Sequence, residues 1–137
     1  MRKFKFRAWR HDGEYSHMIE SEIGVYTAIK HCLGIATSAG FSDIDNQPKK
    51  DGYTLMQWTG LKDRNGKEIY EGDILQDYAK NGKPITRVKV IWNDGFWDGE
   101  PLEGERYKTC YAGFKRCEII GNVFDNPELL EVGECKD

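Results

Sequence analysis

Lys3-Phe4-Lys5-Phe6-Arg7-Ala8-Trp9 alternates charge with apolar bulk, and a period of two is the pattern of a strand with one covered face. The spacing puts Phe4, Phe6 and Ala8 on the core side and the three cations on the other. Phe6→Ala is then expected to cost about 3–5 kcal/mol, and Lys5→Ala or Arg7→Ala almost nothing. His11-Asp12-Gly13 supplies turn chemistry, because Asp and Gly tolerate positive φ, and residues 15–19 return as a second strand. Further along, Tyr53 to Thr59 is strand-like, Asp63-Arg64-Asn65-Gly66 is a turn, and strand character resumes from Lys67 to Gln76. Asn81-Gly82 divides Asp73–Tyr78 from Ile85–Trp92, and Asp94-Gly95 divides that run from Phe96-Trp97. Successive Asn-Gly and Asp-Gly turns join antiparallel neighbours, since parallel strands need long crossovers. Val88, Val90 and Trp92 alternate onto one face, while Cys117 to Phe124 is apolar on both, as for a fully covered strand.

Two stretches break this rhythm. From Ser21 to Leu33, Val25, Ile29, Cys32 and Leu33 recur near a helical period, with Ser21 placed to cap the start and Gly34 to close the end. Asn126-Pro127 opens a short terminal helix, Asn126 as cap and Pro127 at its first position. Residues 34–52 are rich in Gly, Ser, Asp and Lys and read as an exposed loop. Asp43-x-Asp45-Asn46 there is no calcium loop, because Pro48 occupies the position that needs the sharp glycine turn. The expected architecture is a mostly β, β-rich α+β fold: an antiparallel meander of SH3-like barrel type with one or two short helices. One domain spans 1–137, with a variable helix-and-loop insertion over 20–52 and the barrel core with its terminal helix over 53–131.

Composition narrows the function classes more than the fold. A chain of 137 residues, 39% hydrophobic and 31% charged, can bury a sizeable core, and its net charge of −3 disfavours a surface that grips nucleic acid all over. The charge is unevenly spread. Residues 1–10 carry Arg2, Lys3, Lys5, Arg7 and Arg10 without an acid, whereas 118–137 are dominated by Asp and Glu, so residues 118–131 are expected to pack near 2–10 and cover the sheet edges. No run of about 18 apolar residues is present to span a membrane, nor the apolar block of a signal peptide, so the cytoplasm is the expected compartment. Cys32, Cys110, Cys117 and Cys135 lack the close spacing of a zinc site and are expected as free thiols.

The candidate chemistry is sparse. Trp9, Trp58, Trp92, Trp97, Tyr70 and Tyr78, with Arg7, Lys62, Arg64 and Lys67 nearby in sequence, could form a stacking surface for single-stranded nucleic acid, but aromatics more often fill the core of a small barrel. Glu71 and Asp73 would share a face of a regular strand, as paired carboxylates do in acid–base or metal chemistry, but no convergent His or third carboxylate accompanies them. His11, His17 and His31 have no nucleophile motif near them. No cofactor or metal-ligand set is expected.

Three segments together resemble the YopX family of phage and prophage proteins: Phe6-Arg7-Ala8-Trp9; the run from Leu55-Met56-Gln57-Trp58-Thr59-Gly60-Leu61-Lys62-Asp63-Arg64-Asn65-Gly66 to Lys67-Glu68-Ile69-Tyr70-Glu71-Gly72-Asp73-Ile74-Leu75; and Glu118-Ile119-Ile120-Gly121-Asn122-Val123-Phe124-Asp125-Asn126-Pro127-Glu128-Leu129-Leu130. The resemblance implies a β-rich, barrel-like protein encoded by a bacterial virus or prophage, and carries no catalytic residues. Segments 10–52 and 93–116 lie outside it.

The leading expectation is therefore a non-enzymatic accessory protein that binds a protein partner or copies of itself. Nucleic-acid binding through the basic first strand and the Gly60–Lys67 turn is the alternative, and a hydrolase or nuclease using Glu71 and Asp73 the third reading. The candidate interaction residues are Arg7, Trp9, Trp58, Lys62, Arg64, Glu71 and Asp73.

Overall fold

The computed structural model describes residues 4–32, 52–102 and 109–130, and the side chains of all of these except 31 and 32. The chain is mostly β, with two antiparallel sheets, one of them curled into half a barrel, and a single α-helix among the described residues. It divides into two compact units, Met1–Gln57 and Trp58–Asp137. Most of the expected 20–52 insertion, residues 33–51, and the closing Gly34 lie outside the described residues, as do Cys135 and the Asp43–Asn46 segment.

In the first unit, β1 (Phe6–Arg10) lies between β2 (His17–Ile19) and the first half of β3 (Tyr53–Lys62), with Ala8 opposite both Ile19 and Leu55. The His11-Asp12-Gly13 turn forms as its residues predict, with Gly13 at φ +53°. Helix α1 (Glu22–Cys32) packs against β1 and buries Val25 and Ala28, and the Ser21 hydroxyl caps it by accepting from the Gly24 N–H at 3.1 Å. The alternation along β1 does not sort its residues as expected. Arg7 and Trp9 are buried beside Ala8, while Phe4 is 67% exposed and Phe6 only half-buried. A strand with neighbours on both edges and a helix packed against it covers more than one of its faces, and a long cation can be buried along its aliphatic stem. Both edges of β1 are occupied by β2 and β3, so covering them does not fall to the acidic C-terminal segment.

In the second unit, the rest of β3 pairs with β4 (Glu68–Tyr70), and a five-stranded sheet runs in the order β8-β7-β6-β5-β9. Its strands are β5 (Asp73–Tyr78), β6 (Pro84–Asn93), β7 (Phe96–Pro101), β8 (Thr109–Cys110) and β9 (Glu118–Asn122). From β5 to β8 this is the expected meander. β9 then returns through a 3₁₀ segment, Tyr111–Arg116, to pair antiparallel with β5. As an edge strand β9 is half-buried along its length rather than fully covered. The core joins Ile69, Leu75, Val88, Val90, Trp97, Phe114 and Cys117. Trp92, expected on the same inner face, is 51% exposed because the Asp94-Gly95 hairpin carries it past the end of the core, where it meets Trp97 edge-to-face at 5.0 Å. The terminal helix is a 3₁₀ turn, Pro127–Leu129, and Asn126 does not cap it; its side-chain oxygen instead accepts from the Asn122 N–H at 3.2 Å.

The run expected to be continuous from Lys67 to Gln76 is interrupted at Glu71-Gly72. Gly72 is buried with φ +86°, a conformation that L side chains rarely adopt. Its N–H donates to Val90 O and its carbonyl accepts from the Val123 N–H, both at 2.9 Å, so the turn joins β6 and the segment after β9 to the start of β5. No described helix is long and apolar enough to cross a membrane.

Candidate cationic groove

β5 is paired on both edges and buried from Asp73 to Asp77, and its carboxylates survive there because backbone and side-chain donors meet them. Asp73 accepts from the Tyr70 N–H at 2.8 Å and so braces the Glu71-Gly72 turn. Asp77 accepts from the Tyr78 N–H at 2.9 Å, the Thr109 hydroxyl at 3.0 Å, and Arg116 through Nε at 3.0 Å and Nη2 at 3.1 Å. Burial pushes the Asp77 carboxyl up, but the bonds and charge of Arg116, with Thr109 and Tyr78, outweigh it and hold it below its ordinary range. In the β3–β4 turn, Asp63 takes the same part: Oδ1 accepts from the Asn65 and Lys67 N–H groups, each at 2.9 Å, and Oδ2 from the Ile119 N–H at 3.0 Å. Each of these three carboxylates is engaged in holding backbone.

That bracing projects a different set of side chains outward. Asp63, together with the Arg64 N–H on Cys117 O at 2.9 Å, fixes the turn against the start of β9. The register of β5 against β6 shifts between Asp77 and Tyr78, a bulge that re-aims the strand end. Tyr78 then donates its hydroxyl to Glu118 at 3.1 Å and lies under the Arg64 guanidinium, 4.9 Å from its ring centroid. The other Glu118 oxygen accepts from Asn65 Nδ2 at 3.2 Å. Burial, and the Glu118 carboxylate it bonds, push the Tyr78 hydroxyl up against the opposing pull of Arg64 and Arg87. Arg64, Tyr78, Ala79, Lys80 and Arg116 line an open groove of about 340 Å³. Arg116 closes one wall with its side chain 62% exposed, although bonded to Asp77. Lys80 makes no hydrogen bond or ion pair with another described residue.

Of the residues singled out by sequence, Arg64 lines the groove and Lys62 stands exposed two positions before it. Trp58 is half-buried and donates Nε1 to Leu61 O at 3.1 Å. Arg7, Trp9 and Asp73 are buried and present little surface to a partner. Glu71 lies in the turn before β5, with the left-handed Gly72 between it and Asp73, so the two carboxylates are not neighbours on the face of one regular strand. No cluster of three or more His, Cys, Asp or Glu able to hold a metal occurs among the described residues. Sequence reasoning missed Lys80, Arg116 and the role of Tyr78. The sequence signal for Lys80 was its place beside the Asn81-Gly82 turn; Arg116 carries none, being brought in by a 3₁₀ segment without periodicity.

Residues 5–131 match the family described as "YopX protein". Among solved structures, protein EF1440 from Enterococcus faecalis is similar over 96% of this chain and 100% of that one, with a TM-score of 0.54 and 23% identity, a likeness of fold. The histone-lysine N-methyltransferase ATX2 of Arabidopsis thaliana is 27% identical over 101 residues, which is 72% of this chain and 9% of that protein's length.

Proposed function

Because the chain belongs to the YopX family, whose members are phage-type proteins of unknown function, we propose that it is a non-enzymatic binding module that holds an anionic partner in the groove beside Tyr78. One observation carries this reading: Arg64, Lys80 and Arg116 converge on one open groove, while Asp63 and Asp77 are turned inward onto backbone and side-chain donors. Cations gathered in this way attract anions whatever the net charge of the whole protein. The groove keeps the turn expected from sequence as a nucleic-acid contact and replaces the first strand, whose Arg7 is buried, with the end of β5 and the 3₁₀ segment. The bacterial cytoplasm is the compartment this reading assigns it.

Retention of the full chain on immobilised inorganic polyphosphate should fall steeply with salt and be lost in the double charge reversal Arg64→Glu/Lys80→Glu. Retention of that folded variant at wild-type strength would overturn the proposal.

A second reading, docking to a protein or to another copy, rests on the β6–β7 hairpin tip, where Trp92 and Phe96 are 51% and 52% exposed. Sedimentation of the wild type against Trp92→Ser/Phe96→Ser tests self-association there, and identical monomeric behaviour would remove that form of it.

A further inference from the structure

We propose that the groove takes a segment of single-stranded nucleic acid, with one base stacked on the Arg64 guanidinium and the neighbouring phosphates on Lys80 and Arg116. This rests on the reading of the groove as an anion site and names its ligand class.

The Tyr78 hydroxyl is committed to Glu118, so what this residue offers the groove is its ring, and Arg64 lies over that ring at 4.9 Å. A guanidinium packed against an aryl ring is a partly preorganised platform, because the arginine loses little further freedom when a second flat group settles on it. Bases freed from a duplex stack on such planes. Inorganic phosphate or a phosphorylated side chain would use the cations and leave the platform idle, whereas a polymer of phosphates joined to flat heterocycles uses both. Ala79, with its small side chain, lines the groove beside Tyr78 and Lys80. The groove of about 340 Å³ falls at the small end of the range for ligand sites, roughly 300–1,000 Å³, which suits one flat group rather than the side of a duplex. Arg87, which donates Nε to Gln76 Oε1 at 3.2 Å, lies near enough for its charge to act on Tyr78.

Fluorescence anisotropy of the full chain with labelled single-stranded DNA and RNA oligonucleotides, the matching duplex, and inorganic polyphosphate as competitor tests this. Single strands should bind more tightly than the duplex. Arg64→Lys, which keeps the charge and loses the plane, should weaken single-strand binding roughly tenfold and polyphosphate binding by clearly less. Lys80→Glu should weaken both. Equal binding of duplex and single strand, or an Arg64→Lys variant that binds oligonucleotides as the wild type does, would overturn the nucleic-acid proposal and leave the anion groove standing. Failure of every polyanion to bind would overturn both.

Discussion

Removing the Asp77 carboxylate should destabilise the protein by about 2–5 kcal/mol. In Asp77→Ala, the Thr109 hydroxyl, 1% exposed, loses its acceptor, and a buried polar group so stranded costs about 1–3 kcal/mol. The Tyr78 N–H loses a bond of about 1 kcal/mol. Arg116 adds little, on the order of 0–1 kcal/mol, because a side chain 62% exposed is rehydrated by solvent. The effect should also carry a pH signature. The folded carboxyl lies below its ordinary value of 3.8, so its contribution is fully present above that pH and fades as pH falls below it. Urea unfolding at pH 7 and across pH 3–5 measures both quantities. Stability of Asp77→Asn should depend less on pH on the acid side than that of the wild type, since the amide does not titrate. A loss below about 0.5 kcal/mol in Asp77→Ala, with an unchanged acid limb in Asp77→Asn, would refute the role given to this carboxylate.

Gly72→Ala should cost about 1–2 kcal/mol in a chemical melt, since φ +86° lies in the left-handed region. Arg7→Ala should lower the melting temperature measurably more than Lys5→Ala, because Arg7 is 6% exposed and Lys5 is exposed; equal melting temperatures would return Arg7 to the surface face. Burial pushes the Cys117 thiol up to about 12, so a maleimide at pH 7.5 should label exposed Cys110 far faster than Cys117, as read by peptide mass mapping. For the same reason Cys117 favours the folded state fully below pH 9 and loses that contribution as pH rises towards 12, so Cys117→Ala should flatten the alkaline limb of stability.

The strands were legible where turn chemistry punctuated them. Asn81-Gly82 and Asp94-Gly95 each force a reversal between neighbours a few residues apart, and β5, β6 and β7 follow from that alone. The alternation in β1 was legible as a strand and misleading as to burial, because periodicity says which residues share a face and not how many faces are covered; that depends on α1 and on the pairing with β3, more than 40 residues away. The return of β9 beside β5 was not legible, because its placement is fixed by long-range bonds such as Asp63 to the Ile119 N–H, between segments that the sequence shows only as a turn and an apolar run.

The groove was half legible for the same reason. Arg64 stands in a turn the sequence announces, but what makes that turn a wall is the carboxylate one residue earlier. Asp63 spends both oxygens on backbone donors from its own turn and from β9, and this fixes the backbone from which Arg64 projects over Tyr78. Asp77 does the corresponding work at the end of β5, drawing in Arg116 from the 3₁₀ segment. A carboxylate in a small β protein invites a catalytic reading when met as a letter in a sequence. Here Asp63, Asp73 and Asp77 act as acceptors that fold the chain, and Arg64, Lys80 and Arg116 are the charged side chains that line the groove beside Tyr78.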